Sequence, residues 1–160
     1  MSVVLRAGGS VHELGGSPWL MGIVNATPDS FSDGGMHPTL EARLALAQEL
    51  TAAGARVIDV GGESGVTNRP PVEAKEETER VVGLITRIAA ETGAIVSIDT
   101  YKPAVAAAAV AAGASIVNDV SGLRDAELAD VCAQTGAALV VMHTRAALGH
   151  TSVTTISANS

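Results

Sequence analysis

Short apolar runs alternate with longer stretches of helical period along most of this chain. The runs are Met21 to Val24, Val57-Ile58-Asp59-Val60, Ile95-Val96-Ser97-Ile98-Asp99, Ser115-Ile116-Val117-Asn118-Asp119 and Leu139-Val140-Val141-Met142-His143. Each is brief, rich in aliphatic residues, and carries Asn, Asp or His toward its far end. Four of them follow a Gly-Ala pair, at Gly54, Gly93, Gly113 and Gly136, where glycine stops the preceding helix. Leu44, Ala45, Leu46 and Leu50 at helical spacing predict a helix over Leu40 to Ala53. Further helices are predicted over about Glu73 to Thr92, Pro103 to Ala112 and Ala126 to Thr135, with Pro103 suited to a first helical turn. Ahead of all this, Val3 to Leu5 and Ser10 to Leu14 flank Gly8-Gly9 and predict a hairpin, ended by Gly15, Gly16 and Pro18.

Continuously apolar, β-branched strands alternating with helices indicate an α/β fold with a parallel sheet covered by helices. An open doubly wound sheet and a closed (β/α)₈ barrel share this rhythm. The first strand is followed by neither GxGxxG nor a Walker loop. Five strands instead deliver a polar residue at the C-terminal end, as the catalytic face of a barrel does. The reading is therefore a TIM-type barrel, present as about five of its eight βα units, since a full barrel takes roughly 250 residues. Residues 1–17 form the expected hairpin and 18–147 the partial barrel. Residues 148–160, Ser- and Thr-rich and without helical period, are expected to be a disordered tail.

Composition narrows the function. Seventeen acidic against 10 basic side chains give a net charge of −7, which argues against nonspecific nucleic-acid binding. One cysteine, Cys132, excludes an internal disulfide and fits a reducing compartment. The start of the chain lacks a signal-peptide pattern, and no apolar run approaches ~18 residues, so a soluble cytoplasmic protein without a membrane partner is expected.

The candidate chemistry lies in the strand ends and the loops after them. Met21 to Gly35, MGIVNATPDSFSDGG, is a short strand releasing a long polar loop. Asp59 and Asp99 stand at strand ends among apolar residues. Each either serves its own loop by accepting backbone N–H bonds, or accepts two hydrogen bonds from the N–C–N edge of a flat heterocycle such as a guanine or pterin. Asn118 adds a donor and an acceptor. Gly61 to Pro71 carries Arg69 among glycines and hydroxyls, a clamp suited to phosphate or else an exposed arginine in a loop. The acids from Glu73 to Glu79 read as a solvated face that suits the helix dipole. His143 could transfer protons, but no second His or Cys stands at metal-ligand spacing. Met142 either packs or floors a flat ring.

These residues resemble the dihydropteroate synthase family of pterin-binding enzymes. Val24 to Gly35 matches its first signature, apolar-Asn-x-Thr-Pro-Asp-Ser-Phe-Ser-Asp-Gly-Gly, throughout, and Gly54 to Ser64 matches its second. Val96 to Thr100, Val117 to Gly122 and Met142-His143 are also similar, so the resemblance covers about Pro18 to Arg145. It implies a (β/α)₈ barrel that condenses a dihydropterin methyl diphosphate with 4-aminobenzoate, releasing diphosphate in the presence of Mg²⁺, and that works as a homodimer. Carried onto this chain, Asn25 is the metal-linked asparagine, while Asp99, Asn118 and Met142 are pterin-side residues. Arg69 and Thr67 lie on the diphosphate side, and Phe31 and Pro70 help form the 4-aminobenzoate pocket. The second loop departs from the family by about two extra residues between Ser64 and Arg69. A lysine, an arginine and a histidine that the family takes from later strands have no counterpart within 160 residues. The chain alone is therefore expected to be inactive, a truncated fragment. A pterin-dependent methyltransferase domain is a lesser alternative, since it shares the barrel and the pterin pocket.

Overall fold

A computed structural model describes residues 3–28, 39–63 and 71–143. Strand β1 (Val3–Ala7) pairs antiparallel with β2 (Ser10–Leu14) around Gly8 and Gly9, whose φ values of 56° and 79° require the freedom of glycine. The rest alternates: β3 (Leu20–Asn25), α1 (Leu40–Ala52), β4 (Ala55–Gly61), α2 (Ala74–Glu91), β5 (Ile95–Asp99), α3 (Pro103–Ala111), β6 (Ile116–Asp119), α4 (Glu127–Thr135) and β7 (Ala138–Val141). Every expected element is present, and the helices fall within a residue of their expected bounds. No helix of the described residues is long and apolar enough to cross a membrane.

The five later strands are all parallel and lie in chain order, β3-β4-β5-β6-β7. A doubly wound sheet reverses strand order at a switch point. This one does not, which is the progression of a barrel wall.

The wall has two faces of different chemistry. Val24, Ile58, Val60, Val96, Ile98 and Val117, all at most 2% exposed, point to the helices. They join Leu44, Val81, Leu84, Ile85, Ile88, Val105 and Leu128 in one core. Gly22 lets α1 approach closely, because a Cβ there would stand 2.9 Å from Leu50 Cδ1. On the inner face, Val57 and Ile116 pack with Ala7, flanked by Leu5, Trp19, Ile95 and Ala138. The hairpin thus plugs the base. Gly8 N–H donates to Gly136 O at 3.0 Å, and a Cβ on Gly8 would meet Ser115 Oγ at 2.6 Å.

Candidate functional site

At the other end the inner face turns polar. Strand register aligns Asn25 with Gly61, Gly61 with Asp99, Asp99 with Asn118, and Asn118 with Val140, one row across five strands. One layer deeper the aligned row is Ile23, Asp59, Ser97, Ile116 and Ala138. Because side chains alternate along a strand, both rows face the same way. Asp59 is thus not at its strand end, as the sequence reading had it. Gly61 holds that end, and Asp59 lies below.

The loops that leave this rim start from fixed points. Ala26 N–H donates to Gly61 O at 2.7 Å, Thr100 N–H to Asn118 O at 3.3 Å and Met142 N–H to Asp119 O at 2.9 Å, each extending the ladder past its strand. Asp119, fully buried, accepts from Ser121 N–H at 2.8 Å and from Leu123 N–H, and so holds the β6–α4 loop. The loop-capping role weighed for Asp59 and Asp99 belongs to this neighbour. The roots after β3 and β4 are also held from the helices, by Arg43 Nη2 donating to Thr27 O and Arg80 Nη1 to Gly62 O, both at 2.9 Å.

The site's electrostatics follow from burial and from the crowding of carboxylates. Among the described residues no hydrogen bond reaches the Asp99 carboxylate. Burial, then the charges of Asp59, Glu77, Glu63 and Asp119, push its pKa up to about 7. Asp59, 4% exposed, is also raised by burial, offset by Ser97 and Asn118. Asn118 Nδ2 donates to Asp59 Oδ2 at 3.2 Å. A carboxylate only accepts, so this bond orients the amide and leaves its oxygen free for the rim. Asp59 Oδ1 and the Ser97 hydroxyl are buried without a well-formed hydrogen bond. Ser97 favours the ionised Asp59 by proximity. The result is a floor of unmet acceptors that suits a ligand edge rich in N–H donors.

Asn25, Asp99 and Asn118 are therefore brought onto one face. Met142 and His143 follow β7 as exposed residues rather than ending it. Phe31, Thr67, Arg69 and Pro70 lie outside the described residues, as do residues 148–160. A second expectation, beside the place of Asp59, is overturned. Glu77, assigned to a solvated face, is 1% exposed and ion-paired to Lys102. The sequence held the signal, since Glu77 precedes the buried Val81, Leu84, Ile85 and Ile88 at helical spacing. Glu63, Tyr101 and Lys102, which the sequence reading passed over, join it in one polar cluster.

Residues 21–159 match the family model of pterin binding enzymes. The dihydropteroate synthase of Bacillus subtilis is 47% identical over 127 residues, covering 79% of this chain and 45% of its own length. Among solved structures, the Xanthomonas albilineans dihydropteroate synthase with 4-aminobenzoic acid superposes with a TM-score of 0.81 at 44% identity, over 91% of this chain and 53% of that one. The same enzyme in complex with 7,8-dihydropteroate gives 0.69 at 47% identity, over 79% and 45%. The chain spans about half the length of the relatives it matches. With a match over most of its length and a wall of parallel strands in barrel order, this chain belongs to the family of pterin-binding enzymes.

Proposed function

We propose that this chain is the pterin-binding part of a cytoplasmic dihydropteroate synthase, which joins a dihydropterin methyl diphosphate to 4-aminobenzoate and releases diphosphate. The carrying observation is the inner row, where Asp99 and Asn118 stand side by side in register over the half-satisfied Asp59 and Ser97. The relatives solved with 4-aminobenzoic acid and with 7,8-dihydropteroate support the substrate pair. In this reading Asp99 accepts from the amidine-like edge of the pterin, the Asn118 oxygen accepts a further N–H, and Met142 lies against the ring. Arg69, with Thr67, stabilises the leaving diphosphate, whose charge grows as the carbon–oxygen bond breaks. Phe31 and Pro70 border the place of the arylamine, which attacks the pterin methylene as a neutral nucleophile. The same resemblance gives a homodimer as the assembly.

Mg²⁺ is part of the proposal. Among the described residues no cluster of three His, Cys, Asp or Glu side chains could cage a metal. The residues fit a different arrangement. Asn25 is exposed at the end of β3, and a Cβ on Gly61 would lie 3.6 Å from its Oδ1 and 3.7 Å from Asp99 Oδ2. Two hard oxygens thus flank a position kept open by glycine. A neutral amide oxygen suits a cation that keeps its waters and takes further oxygens from a phosphate. When bound, the ion would withdraw charge from the leaving group.

The test is steady-state formation of dihydropteroate by the protein carrying this chain, with Arg69→Ala beside it. Turnover is expected in the parent, and the variant should lose about tenfold or more in kcat with pterin affinity nearly unchanged. Absence of product in the parent, with pterin bound, would leave a binding protein in place of the enzyme.

A further inference from the structure

We propose that Glu63 and Lys102 form a positioning clip that holds both roots of the segment 64–70 together and fastens them to the turn after Asp99. The inference rests on the synthase reading above, in which that segment supplies Thr67 and Arg69. Glu63 Oε2 accepts from Val72 N–H at 3.3 Å, so one carboxylate joins the residue before the segment to one just after it. The Tyr101 hydroxyl donates to both oxygens of Glu63, at 3.2 and 3.3 Å. The Lys102 ammonium donates to Glu63 Oε2 and to Glu77 Oε2 of α2. Tyr101 and Lys102 follow Asp99 by two and three residues, so the clip joins the arginine-bearing segment to the strand end that carries the pterin aspartate.

The surroundings leave this clip little play. Lys102 and Glu63 side chains are 15% and 24% exposed and Glu77 is 1% exposed. A Cβ on Gly62 would stand 2.8 Å from both Glu77 Cγ and Val81 Cγ1, so the root itself lies flat on α2. The root after β3 is held by a backbone ladder bond and by Arg43, and the root after β7 by a ladder bond. This root gathers two carboxylates, a lysine, a phenol and an arginine. Stability alone does not account for such a cluster, because burying charges costs about as much as their pairing returns. What the cluster does supply is geometry. Its charges hold one loop origin to a fixed place beside Asp99, and a misplacement of about 1 Å can lower turnover up to a hundredfold.

The experiment compares Glu63→Gln, Arg69→Ala and the double variant in the catalytically competent protein, with Lys102→Arg as the conservative control. Glu63→Gln is expected to lower kcat about tenfold while the KM for pterin diphosphate stays within twofold, and Lys102→Arg to keep most of the turnover. In the Arg69→Ala background the Glu63 change should cost clearly less than in the parent, about threefold at most, because the arginine is gone and only Thr67 and Pro70 remain to be positioned. Independent, multiplying losses or an unchanged kcat would overturn the clip. Should Glu63→Gln fail to fold, Tyr101→Phe removes one donor only and should show a smaller fall of the same kind, and no fall would overturn the clip. A second arm needs no activity. Deuterium uptake over residues 62–72 should rise in Glu63→Gln, and unchanged uptake would also overturn the proposal. A parent that makes no dihydropteroate would defeat the functional reading, while the exchange arm still decides the clip.

Discussion

The inner face of the sheet is one surface built twice. Near the base, Val57, Ile95, Ile116 and Ala138 are shut in by the hairpin and Trp19. One to two layers higher, Asn25, Gly61, Asp99 and Asn118 stand in register as a polar row. The same strands, with the same pleat, present aliphatic carbon at one end and unmet acceptors at the other. The base lowers the free energy of folding by removing carbon from water. The rim raises it, because burial and mutual repulsion disfavour the charges of Asp59 and Asp99. Packing and the proposed ligand contacts are thus separated along the strand axis, over about two to four residues.

Mutations at the two ends should therefore act on different observables. The largest effect is expected at the base. Ile116→Ala, at a site 3% exposed, should cost about 2–4 kcal/mol in urea unfolding, while each folded molecule binds pterin within twofold of the parent. A large loss of affinity per folded molecule would show that base and rim are coupled.

At the rim Asp99→Asn should weaken pterin binding by about 1.5–3 kcal/mol, measured by calorimetry. The same change should stabilise the protein at pH 8. The folded carboxyl titrates at about 7, above its unfolded range, so the folded state holds the proton more tightly. Stability then falls as pH rises from about 4 through 7, and the penalty is complete above that window. The variant should gain on the order of 1–2 kcal/mol at pH 8 and nothing near pH 4. A thermal melt showing loss at pH 8 would contradict this account.

The smallest effect needs no mutation. If the ionised Asp99 receives the pterin edge, affinity should fall about tenfold per pH unit below about 7 and level off above it. An uncharged hydroxymethyl-dihydropterin, which has no titrating phosphate, is the suitable probe. A flat profile between pH 5.5 and 8 would remove Asp99 from the contact.

Much of this division was legible from residues alone. The Gly-Ala pairs marked where helices stop, and the polar residue near each strand end pointed to the polar rim. Strand periodicity located Asp99 and Asn118 well. It misplaced Asp59, because β4 runs on to Gly61, and a glycine does not read as the last residue of an apolar run. The Glu63–Lys102–Glu77 cluster escaped for a different reason. Its members come from three elements, and long charged side chains in a local pattern read as solvated until the fold shows what lies over them. Glu77 was the detectable one, in line with the apolar stripe of α2. Arg69 stood out as a cation among glycines and hydroxyls, whereas Thr67, Phe31 and Pro70 rest on the family resemblance, since such loops carry no periodicity from which to place them.

The chain has one tryptophan and one tyrosine, and the fold sends them to opposite ends. Trp19 lies in the base cluster with the His12 ring edge-on at 5.6 Å and the Arg56 guanidinium 5.2 Å above it, while Tyr101 donates to Glu63 beside the rim. Selective excitation of the indole therefore watches the plug alone, and phenol emission watches the loop root alone. The molecule comes supplied with two separate dyes, one for its foundation and one for its working edge, with no label to attach.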